Sequence, residues 1–253
     1  MKPRWTHRPP GSNWGDFGPD DQKGRLNWLT PDAVLRGVAE VREGRVFYNG
    51  YRMDEHIRVP EAGAPRGGAR ALGIEVMAQT GVQGRGVMVD LRRHFGDERR
   101  KIGYAEWMSV LRADDVVVER GDIVCVHTGF ADRLIEADAL GEPAAPDVCC
   151  VLDGNDPRLL EWIDASGLAA LAADNHAVEE RPRHASARER PGALMPLHEL
   201  CLFKLGIHLG ELWHLTPLAD WLRAHRRNRF LLTAPPLHLR GLVGSPVNPV
   251  ATV

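Results

Sequence analysis

Three side chains of this chain stand where chemistry is a natural reason for their presence: His198, Glu211 and Asp174. His198 lies near the start of the apolar stretch LMPLHELCLFKL, which Gly206 stops, and Glu211 interrupts the apolar run IHLGELWHL. A histidine and a carboxylate in apolar surroundings are costly unless something pairs with them. Both can ligate a divalent metal, and both can move protons. Asp174 directly follows LAALAA, and a carboxylate at the C-terminal end of a buried parallel strand commonly lines the site of an open α/β sheet. His176 and Glu179 follow within a few residues, and Asp54, Glu55 and His56 form a further acid–histidine run. His56 and His176 are the candidates for proton transfer.

Each candidate also has a plainer reading. His198 can bond a backbone carbonyl in a core, and Asp174-Asn175 is good turn chemistry. Glu211 can sit on the solvent face of a strand; alternation groups it with Leu209 and Trp213, opposite His208, Gly210 and Leu212, and those neighbours favour a buried face. His127, in HTG after an apolar run, is either a polar site group or a strand cap. GVQGRG has the wrong glycine spacing for a dinucleotide turn, and the chain carries no P-loop and no G-x-S-x-G elbow. Ser245 has no base beside it in sequence.

The elements that would position these groups follow from pattern. Thr30-Pro31-Asp32 is a strong helix start; Val34, Leu35, Val38 and Val41 then fall on one face, and Gly44 ends the helix. GVMVDL, IVCVHTG, LAALAA, the run 207–215 and FLLTAPP read as strands. Trp107, Val110 and Leu111 mark a short amphipathic helix. Asp156-Pro157 starts another that Gly167 stops, His198 belongs to a third, and Thr216-Pro217 starts a fourth. Helices and apolar strands alternate through the C-terminal half, which predicts an α/β fold with part of the sheet covered on both faces.

Composition narrows the classes. The 253 residues suit one α/β domain, residues 30–253, preceded by an N-terminal arm, residues 1–29, whose Trp5, Trp14 and Trp28 should pack on the body or on another subunit. Hydrophobic content of 43% supports a core. A net charge of −2 gives no basic field for nucleic acid. The Arg-rich runs 181–190 and 223–229 read as solvated surface, the first also as an anion contact. The 4 cysteines show no C-x-x-C spacing; adjacent Cys149 and Cys150 are poorly placed for a mutual bridge, Cys125 and Cys201 in apolar runs read as buried thiols, and a reducing cytoplasm fits. The first residues lack the apolar core of a secretory signal, and no run is long enough to span a membrane.

The stretch 194–215 resembles the C-terminal part of the cyclase family of metal-dependent hydrolases, which includes kynurenine formamidase and isatin hydrolase. NWGDFGPDDQKGRLNWLTPDAVLRG, GRGVMVDL, GDIVCVHTGF, LAADNHAVE and APPLHLRGLVGSPVNPVA follow in the family's order. The resemblance implies a swivelling β/β/α fold, and hydrolysis of a small amide, lactam or lactone such as an aryl formamide or isatin. It also implies zinc or manganese, with His198 and Glu211 at the family's metal positions; Asp174 stands where the family also has an Asp and is the third metal candidate. One departure stands out. The family's early H-x-G-T-H-x-D segment has no counterpart, and GRVF (44–47) runs straight into YNGY (48–51). The chain reads as a member with that block, and part of the N-terminal β region, absent. His56 with Asp174, His198 and Glu211 is the set that would have to rebuild a metal site. The alternative is a catalytically silent member acting as a binding or assembly module. Losing the block would expose a sheet edge, so a homodimer or higher oligomer is expected.

Overall fold

The computed structural model describes residues 7–49, 71–143, 148–181 and 193–253. His56 with its acidic neighbours, and all but the first residue of the 181–190 run, lie outside the described residues. A 3₁₀ turn, Gly24–Trp28, leads into α1 (Pro31–Val38), β1 (Val46–Tyr48), α2 (Ile74–Thr80), β2 (Gln83–Asp90) and α3 (Leu91–Phe95). Then come β3 (Arg100–Ile102), α4 (Tyr104–Ala113), β4 (Ile123–His127), α5 (Phe130–Leu140), β5 (Cys150–Leu152) and α6 (Pro157–Ser166). β6 (Ala170–Ala173), α7 (Pro196–His198), a π-helical segment Glu199–Leu205, β7 (His208–Gly210), α8 (Thr216–Ala224), β8 (Arg229–Thr233) and β9 (Val250–Thr252) complete the order.

The caps are those the sequence announces. Thr30 accepts from the Ala33 N–H, Asp156 accepts from Arg158 and Leu159, and Gly167 closes α6 in the left-handed region. α1 departs from expectation. It ends at Val38, and Leu35 and Val38 are exposed while Ala33 and Gly37 are buried. The helix lies so close to β2 that a Cβ at Gly37 would fall 2.8 Å from the Gly84 carbonyl, so the small-residue face, not the valine stripe, turns inward.

A seven-stranded sheet runs in the order β1-β9-β8-β2-β4-β6-β7, and β3 pairs with β5 separately. β2, β4, β6 and β7 are mutually parallel, while β8, β9 and β1 add antiparallel pairs on the other side. Apolar side chains fill both faces. Val87, Val89, Val124, Val126 and Leu171 meet Trp107, Leu159 and Ile163 of α4 and α6 on one. Met88, Ile123, Cys125, Ala170 and Ala172 meet Leu218 and Leu222 of α8 on the other. Coverage of both faces is why these strands are continuous apolar runs. The described part of the arm packs on the body: Asn13 N–H donates to the Lys204 carbonyl, its Nδ2 to the Leu205 carbonyl, and buried Arg25 to the Ile163 carbonyl. Among the described residues, no helix is long and apolar enough to cross a membrane.

The segment 207–215 is not one strand. β7 stops at Gly210, and Leu212 takes φ 58°. The left-handed turn breaks the alternation, so Glu211 leaves the strand instead of sharing a face with Leu209 and Trp213. The His198 helix also differs: one α-turn passes into π-helix at Glu199, a form often found at functional sites.

Candidate functional site

The four parallel strands each deliver a polar group at their C-terminal end: Asp90, His127, Asp174 and Glu211. The first three belong together. His127 Nδ1 lies 2.7 Å from Asp90 Oδ1 and its Nε2 3.0 Å from Thr216 Oγ1. Asp174 Oδ1 accepts from Thr128 N–H at 2.8 Å and its hydroxyl at 2.7 Å, and Oδ2 accepts from Gly129 N–H at 2.7 Å. Asp174 is 0% exposed, so burial raises its pKa, against the pull of His127 and the Thr128 donors. Thr216 passes the network on to Asp132, which His214 and Arg92 also hold.

Glu211 belongs to a different cluster. His198 Nδ1 is 2.9 Å from Glu179 Oε1, and its Nε2 is 3.4 Å from Glu211 Oε1. Glu179 is buried and also accepts from the backbone N–H groups of Leu197 and His198. It thus fixes the ring and the start of its helix together. Ala177 and Val178, which precede Glu179, take φ 68° and 58°, and the Ala177 N–H donates to Glu211. Left-handed backbone at non-glycine residues is strained, and at Val it is uncommon. Here it places both carboxylates. Hydrogen bonds that His198 donates to Glu179 and then to Glu211 raise its pKa to about 9, and the bond from His198 lowers that of Glu211.

His198 and Glu211 open on a cavity of about 840 Å³. Its walls are mainly apolar, from Ile123, Ala170, Ala172, Met77, Trp213 and Val247. His176 stands beside the cluster: it is exposed, its ring meets Phe130 edge-on at 5.5 Å, and its charge reaches Glu211.

Of the sequence candidates, then, the structure brings His198 and Glu211 together, adds Glu179 beneath them, and holds Asp174 in the neighbouring closed network with His127. A catalytic zinc needs about three protein ligands. A nitrogen and an oxygen 3.4 Å apart can share an ion, but both Asp174 oxygens are already taken, and among the described residues no group of three or more His, Cys, Asp or Glu is arranged to hold a metal. The described residues therefore do not fit the metal centre that the family resemblance implies.

No family model matches the chain, and no curated protein matches it. Among solved structures it is similar to the crystal structure of a novel cyclase, with 26% identity, 98% of this chain and 100% of that chain covered, and a TM-score of 0.79. Isatin hydrolase A from Labrenzia aggregata gives 15% identity over 71% of this chain and 64% of its own, with a TM-score of 0.53. Isatin hydrolase A from Ralstonia solanacearum gives 16% identity over 71% and 63%, with a TM-score of 0.51. With these hydrolases the chain shares the fold. The fold and the end-to-end match make this chain similar to the novel cyclase over nearly its whole length.

Proposed function

We propose that the chain is a hydrolase of a small neutral amide, lactam or lactone, acting where Glu179, His198 and Glu211 meet the apolar cavity. One observation carries the reading: an imidazole clamped between two carboxylates at the edge of a largely apolar cavity. The isatin hydrolases that share the fold support a cyclic amide as substrate class.

The residues divide the work by position. Glu179 accepts from Nδ1 and so aims Nε2 at the cavity. Charged His198 donates through Nε2 to the carbonyl oxygen, where negative charge develops as water adds. Glu211 accepts the proton that the attacking water loses. The acyl C–N or C–O bond then breaks, and that proton goes to the departing nitrogen or oxygen. No step is assigned to a metal.

A second reading is a ligand-binding member without turnover, favoured by the lack of a three-ligand cluster among the described residues. The test is incubation of purified protein with isatin and with N-formylkynurenine, followed by absorbance with and without added Zn²⁺ or Mn²⁺, beside elemental analysis. Turnover that falls in His198→Gln and Glu211→Gln supports the hydrolase. Binding without turnover supports the second reading. Turnover unchanged in both variants removes this site.

A further inference from the structure

One group in the cavity wall has no role in the chemistry above. His208 begins β7 and lies in register with Ala170 of β6, which is in register with Ile123 of β4. All three line the cavity that holds His198 and Glu211. The neighbours of His208 in this wall are small or apolar, so nothing beside it competes for a polar contact.

The ring is half-buried, and its Nδ1 is sealed from solvent without a hydrogen-bond partner. Among the described residues its Nε2 has no partner either, yet that atom is not sealed. Asp21, whose charge reaches the ring, is held by the Gly24 N–H and by Asn27 Nδ2. A buried N–H without an acceptor is rarer and costlier than a buried lone pair without a donor. The proton of the neutral ring therefore belongs on Nε2, the nitrogen that is not sealed, in a side chain that lines the cavity. Burial lowers the His208 pKa to about 4, which keeps the ring neutral.

We infer that His208 is a specificity-determining residue: its Nε2–H takes the carbonyl oxygen of a neutral, ring-sized apolar ligand lying along β7. The inference rests on the reading above only in taking this cavity as the ligand site. Three residue steps, two of them within β7, lead from His208 to Glu211, at most about 10 Å at strand rise. A fused bicyclic ligand anchored at His208 presents its far edge to His198 and Glu211. A site built to hydrogen-bond a carbonyl discriminates against the same frame without one.

The experiment compares two probes that cannot be hydrolysed, 1-indanone and indane, which share a bicyclic frame and differ in one carbonyl. Binding is measured by calorimetry or ligand-observed NMR at pH 7. The wild-type protein should prefer 1-indanone by about fivefold to tenfold, the range of one hydrogen bond. His208→Leu should bring 1-indanone down to the level of indane, with indane binding unchanged. His208→Gln, which keeps a donor, should restore most of the preference, and thermal unfolding of each variant verifies the fold. A preference retained in His208→Leu, no preference in the wild type, or no binding of either probe at millimolar concentration overturns the assignment. Failure of the hydrolase reading looks different: there the probes bind as expected while amides are not turned over.

Discussion

The ends of the parallel strands carry two clusters built from the same residue types in two opposite states. At β2, β4 and β6 the network of Asp90, His127 and Asp174 is closed: these side chains are at most 10% exposed, and Asp174 meets three donors. Past β7, His198 and Glu211 are 22% and 38% exposed and face a cavity. Position at a strand end therefore does not make a group functional; what separates the two clusters is whether it is sealed or opens on a cavity. A sealed network holds loops together, and an open one can meet a ligand.

The largest contrast expected is in stability. Asp174→Ala leaves the Thr128 and Gly129 donors buried without their acceptor, so chemical denaturation should show a loss of about 3–5 kcal/mol. Glu211→Ala, at a surface position, should stay within about 1 kcal/mol. Equal losses at the two positions would erase the distinction between the clusters.

Activity should invert that order. His198→Gln and Glu211→Gln should each lower turnover of a cyclic amide by about a hundredfold or more while the folded fraction is unchanged. Thr216→Val removes a hydroxyl from the closed network and should leave turnover of the remaining folded protein within a factor of about three of wild type. A Thr216→Val loss matching that of His198→Gln would move the site to the closed cluster.

Much of this arrangement was legible in the sequence. The apolar strand runs, the caps at Thr30 and Asp156 and the stop at Gly167 follow from local chemistry, and polar residues in greasy stretches pointed to His198 and Glu211. The structure also shows what pattern alone misses. Alternation paired Glu211 with Trp213 because nothing in the letters marks Leu212 as left-handed. The equally strained Ala177 and Val178 are what deliver Glu179, so its bond to His198 was not readable from spacing. His208 passed as an ordinary strand residue because an orphaned ring nitrogen is a property of tertiary packing.

Titration gives a third, smaller contrast. The His198 pKa rises from its ordinary 6.5 to about 9 through the two carboxylates. Its contribution to stability is therefore complete below pH 6.5 and disappears as pH climbs through about 9. Asp132 shifts the other way: burial opposes the change, but bonds from His214, Arg92 and Thr216 hold its pKa well below the ordinary value. That contribution is present above the ordinary aspartate range and is lost as pH falls through the lowered value. Thermal midpoints measured against pH should lose the alkaline limb in His198→Gln and the acid limb in Asp132→Asn. Limbs that survive these changes would show that other groups set them.

The smallest effect concerns strain. The closed cluster places a glycine where its chain turns left-handed: Gly129 has φ 86°, and a Cβ there would meet the Arg92 side chain. The open cluster uses Ala177, Val178 and Leu212 at such angles instead. For an L-residue that conformation costs about 1–2 kcal/mol. Gly129→Ala adds this cost and should destabilise the fold by about 1–2 kcal/mol. Leu212→Gly removes the same cost while giving up a half-buried side chain, so the two terms offset and stability should change by less than about 1 kcal/mol. The backbone that presents Glu211 would nevertheless be freer, and the affinity for 1-indanone should fall with little change in the denaturation midpoint. A large loss of stability in Leu212→Gly would mean that Leu212 is held by packing and that its angle serves the core rather than the cavity.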